Sequence, residues 1–160
     1  MCPVTVVVST KGLIVCFICM YARIFLLLAI SFYNRSIGQT GKVILQIENI
    51  QTNKGGEISA AIFNKTNFLK TGKQLATTSR EVTTAKMVFV FDDVAAGEYA
   101  FVAYQDIDRN KNMKTNFIGY PKEPWGISNN PRILFGPPSF EESKVKVIAN
   151  QITTVNIRLN

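Results

Sequence analysis

An all-β fold, an antiparallel β-sandwich of about seven strands behind a hydrophobic leader helix, is what this sequence predicts. Three observations carry that expectation. From Gln39 onward the apolar residues recur with a period of two, the spacing of strands with one buried face. Clusters of Gly, Asn and Lys separate the alternating runs. The one long apolar block, residues 13–33, stands ahead of all of them.

That block, "LIVCFICMYARIFLLLAISFY", holds a single charge, Arg23, and one other clearly polar residue, Ser31. As a membrane anchor it has the required length of roughly 20 apolar residues. It would then place Arg23 near the bilayer centre, at a cost of about 2.5–3.5 kcal/mol. A signal peptide starting at Met20 avoids this cost. "MYAR" is its basic n-region, "IFLLLAISFY" (24–33) its apolar h-region, and "SIG" (36–38) the small-residue cleavage site. Cleavage after Gly38 leaves a mature domain, residues 39–160, of 122 residues. The expected location is secreted, periplasmic or cell-envelope, with anchoring through residues 13–33 as the alternative.

Composition narrows the chemistry. Cys2, Cys16 and Cys19 all precede the expected cut, so the mature domain has neither disulfides nor thiolate chemistry. Histidine is absent from the whole chain, which excludes Ser–His–Asp and Cys–His nucleophile systems and His-ligated zinc or iron. An enzyme built on this domain would have to use carboxylates, lysine, tyrosine or an oxygen-bound cation. The formal charge of +7 falls to +4 once Lys11, Arg23 and Arg35 leave with the leader. The remaining basic residues are scattered rather than gathered in a stripe with aromatics, so nucleic acid is not an expected partner.

The strands follow in order. Residues 42–50 put Val43, Leu45 and Ile47 on one face, and residues 56–64 put Ile58, Ala60 and Ile62 together. Residues 64–75 read as a helical turn, capped by Thr66 or Asn67 and stopped by Gly72, and residues 77–83 as a short edge strand. In residues 86–94, Met87, Phe89 and Phe91 share a face opposite Val88 and Val90. Residues 98–106 are apolar on both faces, as in a central strand. Residues 144–149 leave one face wet, and residues 153–160 bury Val155, Ile157 and Leu159. The tight turn of residues 92–101, ending at Gly97 with Tyr99 beyond it, resembles the hairpin of transthyretin-like and carboxypeptidase-regulatory-like domains. A transthyretin-like or immunoglobulin-like sandwich is therefore expected. Residues 117–140 hold five of the six prolines and the only tryptophan, a long connection of the kind that is functional or self-ordered.

Residues 97–147 carry a second, more specific resemblance. Gly97–Tyr99, Asp106–Asn116, Gly119–Glu123, Gly126–Asn130 and Gly136–Phe140 match in order the motifs of an uncharacterised bacterial family, domain of unknown function 2141. The resemblance spans about residues 41–160 and implies an exported β-sandwich with no assigned reaction. Gln105 stands where the family often has His, and Lys114 where it often has Asp.

Two groups of residues are candidate sites. In "DIDRNKNMKTN" (106–116), Asp106, Asp108 and Asn110 match positions 1, 3 and 5 of a calcium loop, whose ion needs six to eight oxygens. Lys111 replaces the glycine of position 6, Phe117 the glutamate of position 12, and Lys114 the acid of the shorter variant. Lys114 is therefore expected to sit among the acids as a tethered substitute for the ion. Calcium is the one cofactor candidate; otherwise none is expected. The second group is Tyr120, Lys122, Glu123, Trp125, Ser128, Asn129 and Asn130, the aromatic, amide and charged types that sugar or peptide pockets use. Ser139 is expected to cap a helix or strand, with Phe140 as an anchor. The function expected is a non-enzymatic binding or cell-envelope interaction module whose partner is an extracellular or periplasmic protein or a glycan. A carbohydrate or small-ligand binder using Trp125 and Tyr120 is the first alternative. A carboxylate enzyme using Asp106, Asp108 and Glu123 is the second.

Overall fold

The computed structural model describes residues 39–117, 121–132 and 136–160. The leader, its cleavage site and Tyr120 lie outside the described residues. Among the described residues eight strands form in order: β1 (Thr40–Glu48), β2 (Glu57–Phe63), β3 (Ala76–Glu81), β4 (Lys86–Ala95), β5 (Gly97–Asp106), β6 (Trp125–Ile127), β7 (Val145–Val147) and β8 (Ile152–Arg158). The described residues also hold a 3₁₀ turn, Thr52–Lys54, and a short α-helix, α1 (Phe140–Ser143), which precedes β7.

The strands make two sheets. The first has the order β4-β1-β8; the second has the order β3-β2-β5-β6, with β7 also paired to β5. Every alternating run named above became a strand because its apolar face found the other sheet. Val43, Leu45 and Ile47 of β1 pack with Ile58, Ala60 and Ile62 of β2. Met87, Phe89, Phe91, Phe101, Val155, Ile157 and Leu159 complete that core. A second cluster lies on the outer face of the larger sheet, where Phe63, Val102, Trp125 and Ile127 are covered by Phe68 and Met113.

Several local expectations are corrected. β1 and β8 run parallel, from Lys42 beside Ile152 to Glu48 beside Arg158, so the sandwich is not purely antiparallel. The chain enters β8 from β7 in the opposite sheet, and that crossing delivers it in the direction of β1. The turn at Ala96 is a corner between sheets, since β4 pairs with β1 while β5 pairs with β2. Gly97 lets the Tyr99 ring lie close to the main chain there, since a Cβ would meet that ring at 3.1 Å. Residues 64–75 form successive turns instead of a helical turn. Leu69 takes φ +54°, which breaks any helical run. The bonds Asn67 N–H to Asn64 O, Lys70 N–H to Asn67 O and Lys73 N–H to Lys70 O replace it. Ser139 does cap α1: its hydroxyl accepts from Glu142 N–H, and the Glu142 carboxylate accepts from Ser139 N–H at 2.8 Å.

Phe101 sits fully buried at the centre of the main core. Phe101→Ala removes a ring that the surrounding strands cannot replace, and is expected to cost about 3–5 kcal/mol. Chemical denaturation of the purified variant checks this; a loss below about 1 kcal/mol would mean the sheets close over the gap.

Candidate functional site

β5 ends by delivering Gln105 and Asp106, both buried, to the edge of the irregular chain that follows. The Asp106 carboxylate accepts from Asn110 N–H at 3.2 Å and from Lys111 N–H at 2.7 Å, folding residues 107–111 around it. Arg109 and Lys111 both take left-handed backbone, at φ +59° and +60°. The turn that a calcium loop makes with glycine is therefore made here by lysine. Asn110 continues the wrap, donating to Asp108 at 2.9 Å and accepting from Asn112 N–H at 2.7 Å.

Glu123 closes the loop from the other side. It is buried, and it accepts from Ile107 N–H at 3.0 Å and from Lys114 N–H at 3.2 Å. Carboxylate oxygens of Asp106, Asp108 and Glu123 thus come within 4.8 Å of one another. The Lys114 ammonium pairs with Asp108 at the rim of this cluster. Hydrogen bonding and attraction from Lys114 hold the Asp108 carboxyl below its usual range, and Asp108 in turn raises the Lys114 pKa. The three acids could offer oxygens to a hard cation. As they stand, main-chain N–H groups and one ammonium already supply their positive partners.

The second candidate group is occupied in a similar way. Trp125 is 6% exposed and packs among Phe63, Val102 and Ile127, so its ring face is taken up by the protein. Ser128 is buried; it accepts from Phe101 N–H at 3.0 Å and donates to Ser143 O. Asn129 donates to Glu142 O and Lys144 O, each at 3.0 Å. Asn130 donates to Asn156 O at 2.9 Å and accepts from Arg158 N–H at 2.8 Å, pairing with the edge of β8 as a peptide unit would. Lys122 and Glu123 both line a recess of about 150 Å³ with Gln51 and Lys54, and the two Glu123 oxygens accept from main-chain amides. A wider groove of about 720 Å³ runs beside Asn130, Arg132, Asn156 and Arg158.

Sequence reasoning missed the roles of two residues. Gln105, read as a lost ligand position, clasps the turn after β1. It donates to Gln51 O at 2.9 Å and to Gly55 O at 2.7 Å, and accepts from Gln51 N–H at 3.0 Å. Its signal was a lone amide in a strand otherwise apolar on both faces. Glu123 was grouped with Asp106 and Asp108 only as an alternative carboxylate enzyme and otherwise with the pocket residues. Its role as a main-chain acceptor beside them was not foreseen, because it arrives through a separate segment.

The arrangement defines a β-sandwich domain with one irregular end held by side-chain bonds to main chain. The chain belongs to the family described as uncharacterized protein conserved in bacteria, domain of unknown function 2141, whose model matches residues 45–156. No curated protein and no solved structure matches it. Among the described residues no helix is long and apolar enough to cross a membrane.

Two outcomes follow. Glu123→Gln keeps one oxygen but puts an N–H donor against a main-chain amide; it is expected to destabilise the fold by about 1.5–3 kcal/mol. Denaturant unfolding reads this, and an unchanged midpoint would free Glu123 for another role. The Lys114–Asp108 pair contributes undiminished between the ordinary carboxylate and lysine ranges. That contribution is lost in acid as pH falls through the depressed Asp108 pKa, and in alkali as pH rises through the raised Lys114 pKa. In Lys114→Met, the Asp108 carboxyl should titrate at higher pH than in the wild type when followed by NMR. No movement would show that the pair does not form in solution.

Proposed function

We propose that this protein is an exported, non-enzymatic interaction module that meets its partner with the loop region of residues 106–140 at one end, without a metal ion. One contrast carries the reading. The loop is braced from within by Asp106 and Glu123, yet it holds the Phe117 ring 100% exposed. A fixed loop that presents an apolar ring to water suits recognition of a protein surface. The carboxylates of Asp106 and Glu123 are engaged by main-chain amides, an arrangement that favours binding over catalysis. Lys114, paired with Asp108, supplies the positive charge that calcium would bring. Export is supported by the position of β1, which begins at Thr40, just after the expected cleavage site.

A photo-cross-linking side chain placed at Phe117 in living cells should give adducts with a discrete envelope protein, and these should persist in chelator. The same probe at Ile152, 65% exposed on the opposite sheet, should give none. Equal labelling from both positions, or adducts that vanish on removing divalent cations, would contradict the reading.

A further inference from the structure

The two ends of the sandwich show different groups to water. β5 spans about 30 Å from Gly97 to Asp106 at the usual strand rise, and the Phe117 loop lies beyond its far end. Three other segments gather at its near end. β1 begins there, since Thr40 pairs with Ala95 and Gln39 O accepts from Ala96 N–H. The turn from β7 to β8 is there, since Val147 pairs with Gly97 and Asn150 N–H donates to Thr40 O. The connection from β2 to β3 leaves the sheet at Phe63, beside Ala100, and returns at Ala76, beside Ile62.

Apolar exposure follows that division. Among the described residues seven large apolar side chains are exposed, and four belong to the near-end segments: Leu69, Leu75, Ile148 and Ile152. Of the others, Val88 and Val90 lie along β4 and Phe117 belongs to the far end. Cations accompany the two leucines. Residues 64–80 carry Lys65, Lys70, Lys73 and Arg80 and no acid. Lys65 pairs with Glu141, but Lys70 and Lys73 are exposed and have no acid partner among the described residues. The acids nearest this end are engaged, Asp92 by Lys42, Glu98 and Glu141 by Lys144, and Glu142 by Ser139, which leaves Asp93.

The chain ahead of Gln39 identifies what meets this end. The apolar block of residues 13–33 contains twelve Leu, Ile, Val and Phe residues, enough to outweigh its one charge, Arg23, on entering a bilayer. The six steps from Tyr33 to Gln39 reach at most about 20 Å. A block held in lipid therefore holds the near end within that distance of the bilayer, whereas the far end stands about 30 Å further along the strands. We infer that residues 13–33 are retained as an anchor and that the sandwich stands on the bilayer by its near end. Leu69, Leu75, Ile148 and Ile152 enter the headgroup layer, and the Lys70 and Lys73 ammonium groups meet lipid phosphates. Lysine beside leucine suits that layer, because its stem lies on apolar surface while its charged head stays in water. The inference goes beyond the proposed partner contact and orients it, turning Phe117 away from the membrane.

The test uses the full-length chain in vesicles of phosphatidylcholine and phosphatidylglycerol, with Cys2, Cys16 and Cys19 changed to serine. A polarity-sensitive dye is attached through Leu69→Cys, Ile148→Cys or Phe117→Cys. On the first two its emission should shift to the blue and be quenched by lipids brominated on their acyl chains. On Phe117→Cys it should do neither. Lys70→Glu with Lys73→Glu should weaken the quenching on Leu69→Cys, and so should vesicles of phosphatidylcholine alone. Emission on Leu69→Cys and Ile148→Cys that bromine leaves unchanged would overturn the inference, since solvent or residues 1–38 would then cover these positions. Equal quenching on Phe117→Cys, or quenching on Leu69→Cys that ignores the two glutamates, would also overturn it. So would a chain from cells found cut after Gly38, an outcome that leaves the Phe117 cross-linking test of the proposed function standing.

Discussion

The main chain between β5 and β7 must satisfy its hydrogen bonds almost without strands, and the rest of this end of the molecule follows from that constraint. Among the described residues of that stretch, β6 and the single turn of α1 are the regular elements that interrupt the irregular path. A buried N–H or C=O left unpaired costs about 1–3 kcal/mol. Several such losses would erase the stability of a small domain. The sequence meets the need with acids and amides whose side chains reach main-chain groups. Asp106 and Glu123 are the strongest of these, since an ionised acceptor roughly doubles the strength of each bond. Ser128, Asn129 and Asn130 do the same work further on, tying β6 to α1 and β8. No buried side-chain polar atom among the described residues lacks a partner.

This changes what the family's motifs mean. Acids, amides and an aromatic residue clustered in one segment look like a pocket when read in a line. In space the aromatic ring is buried and the polar groups face inward, so the motifs specify a shape. Gly126 belongs to the same pattern: a Cβ there would meet Arg158 O at 2.5 Å, and its absence lets β6 lie close against β8. Among the groups that point outward is Phe117, the one on which the proposed recognition role rests.

The strands were legible because alternation reports burial directly, as Val43, Leu45 and Ile47 or Met87, Phe89 and Phe91 illustrate. Pairing was less so. Nothing in residues 152–158 says that their neighbour runs parallel, and nothing in Gly97–Tyr99 distinguishes a corner from a hairpin. The candidate loop was half legible. Asp106, Asp108 and Lys114 come together as the spacing suggested, and Lys114 does pair with an acid of the loop. Lys111 showed the limit of the glycine rule, since anchoring by Asp106 drives a lysine into left-handed backbone. The bracing roles of Glu123 and Gln105 could not be read because their partners are remote in sequence, at Ile107 and Lys114 for one and Gln51 and Gly55 for the other.

The most direct test of the account is amide hydrogen exchange at Ile107, Asn110, Lys111 and Lys114 in chelator-treated buffer. These N–H groups have carboxylates as acceptors and no strand to protect them. Exchange slowed well below that of an unstructured peptide, with no cation present, is the result expected if side-chain bonds hold this end together. Exchange at unprotected rates, slowed only when calcium is added, would contradict it and return the three acids to the service of a metal.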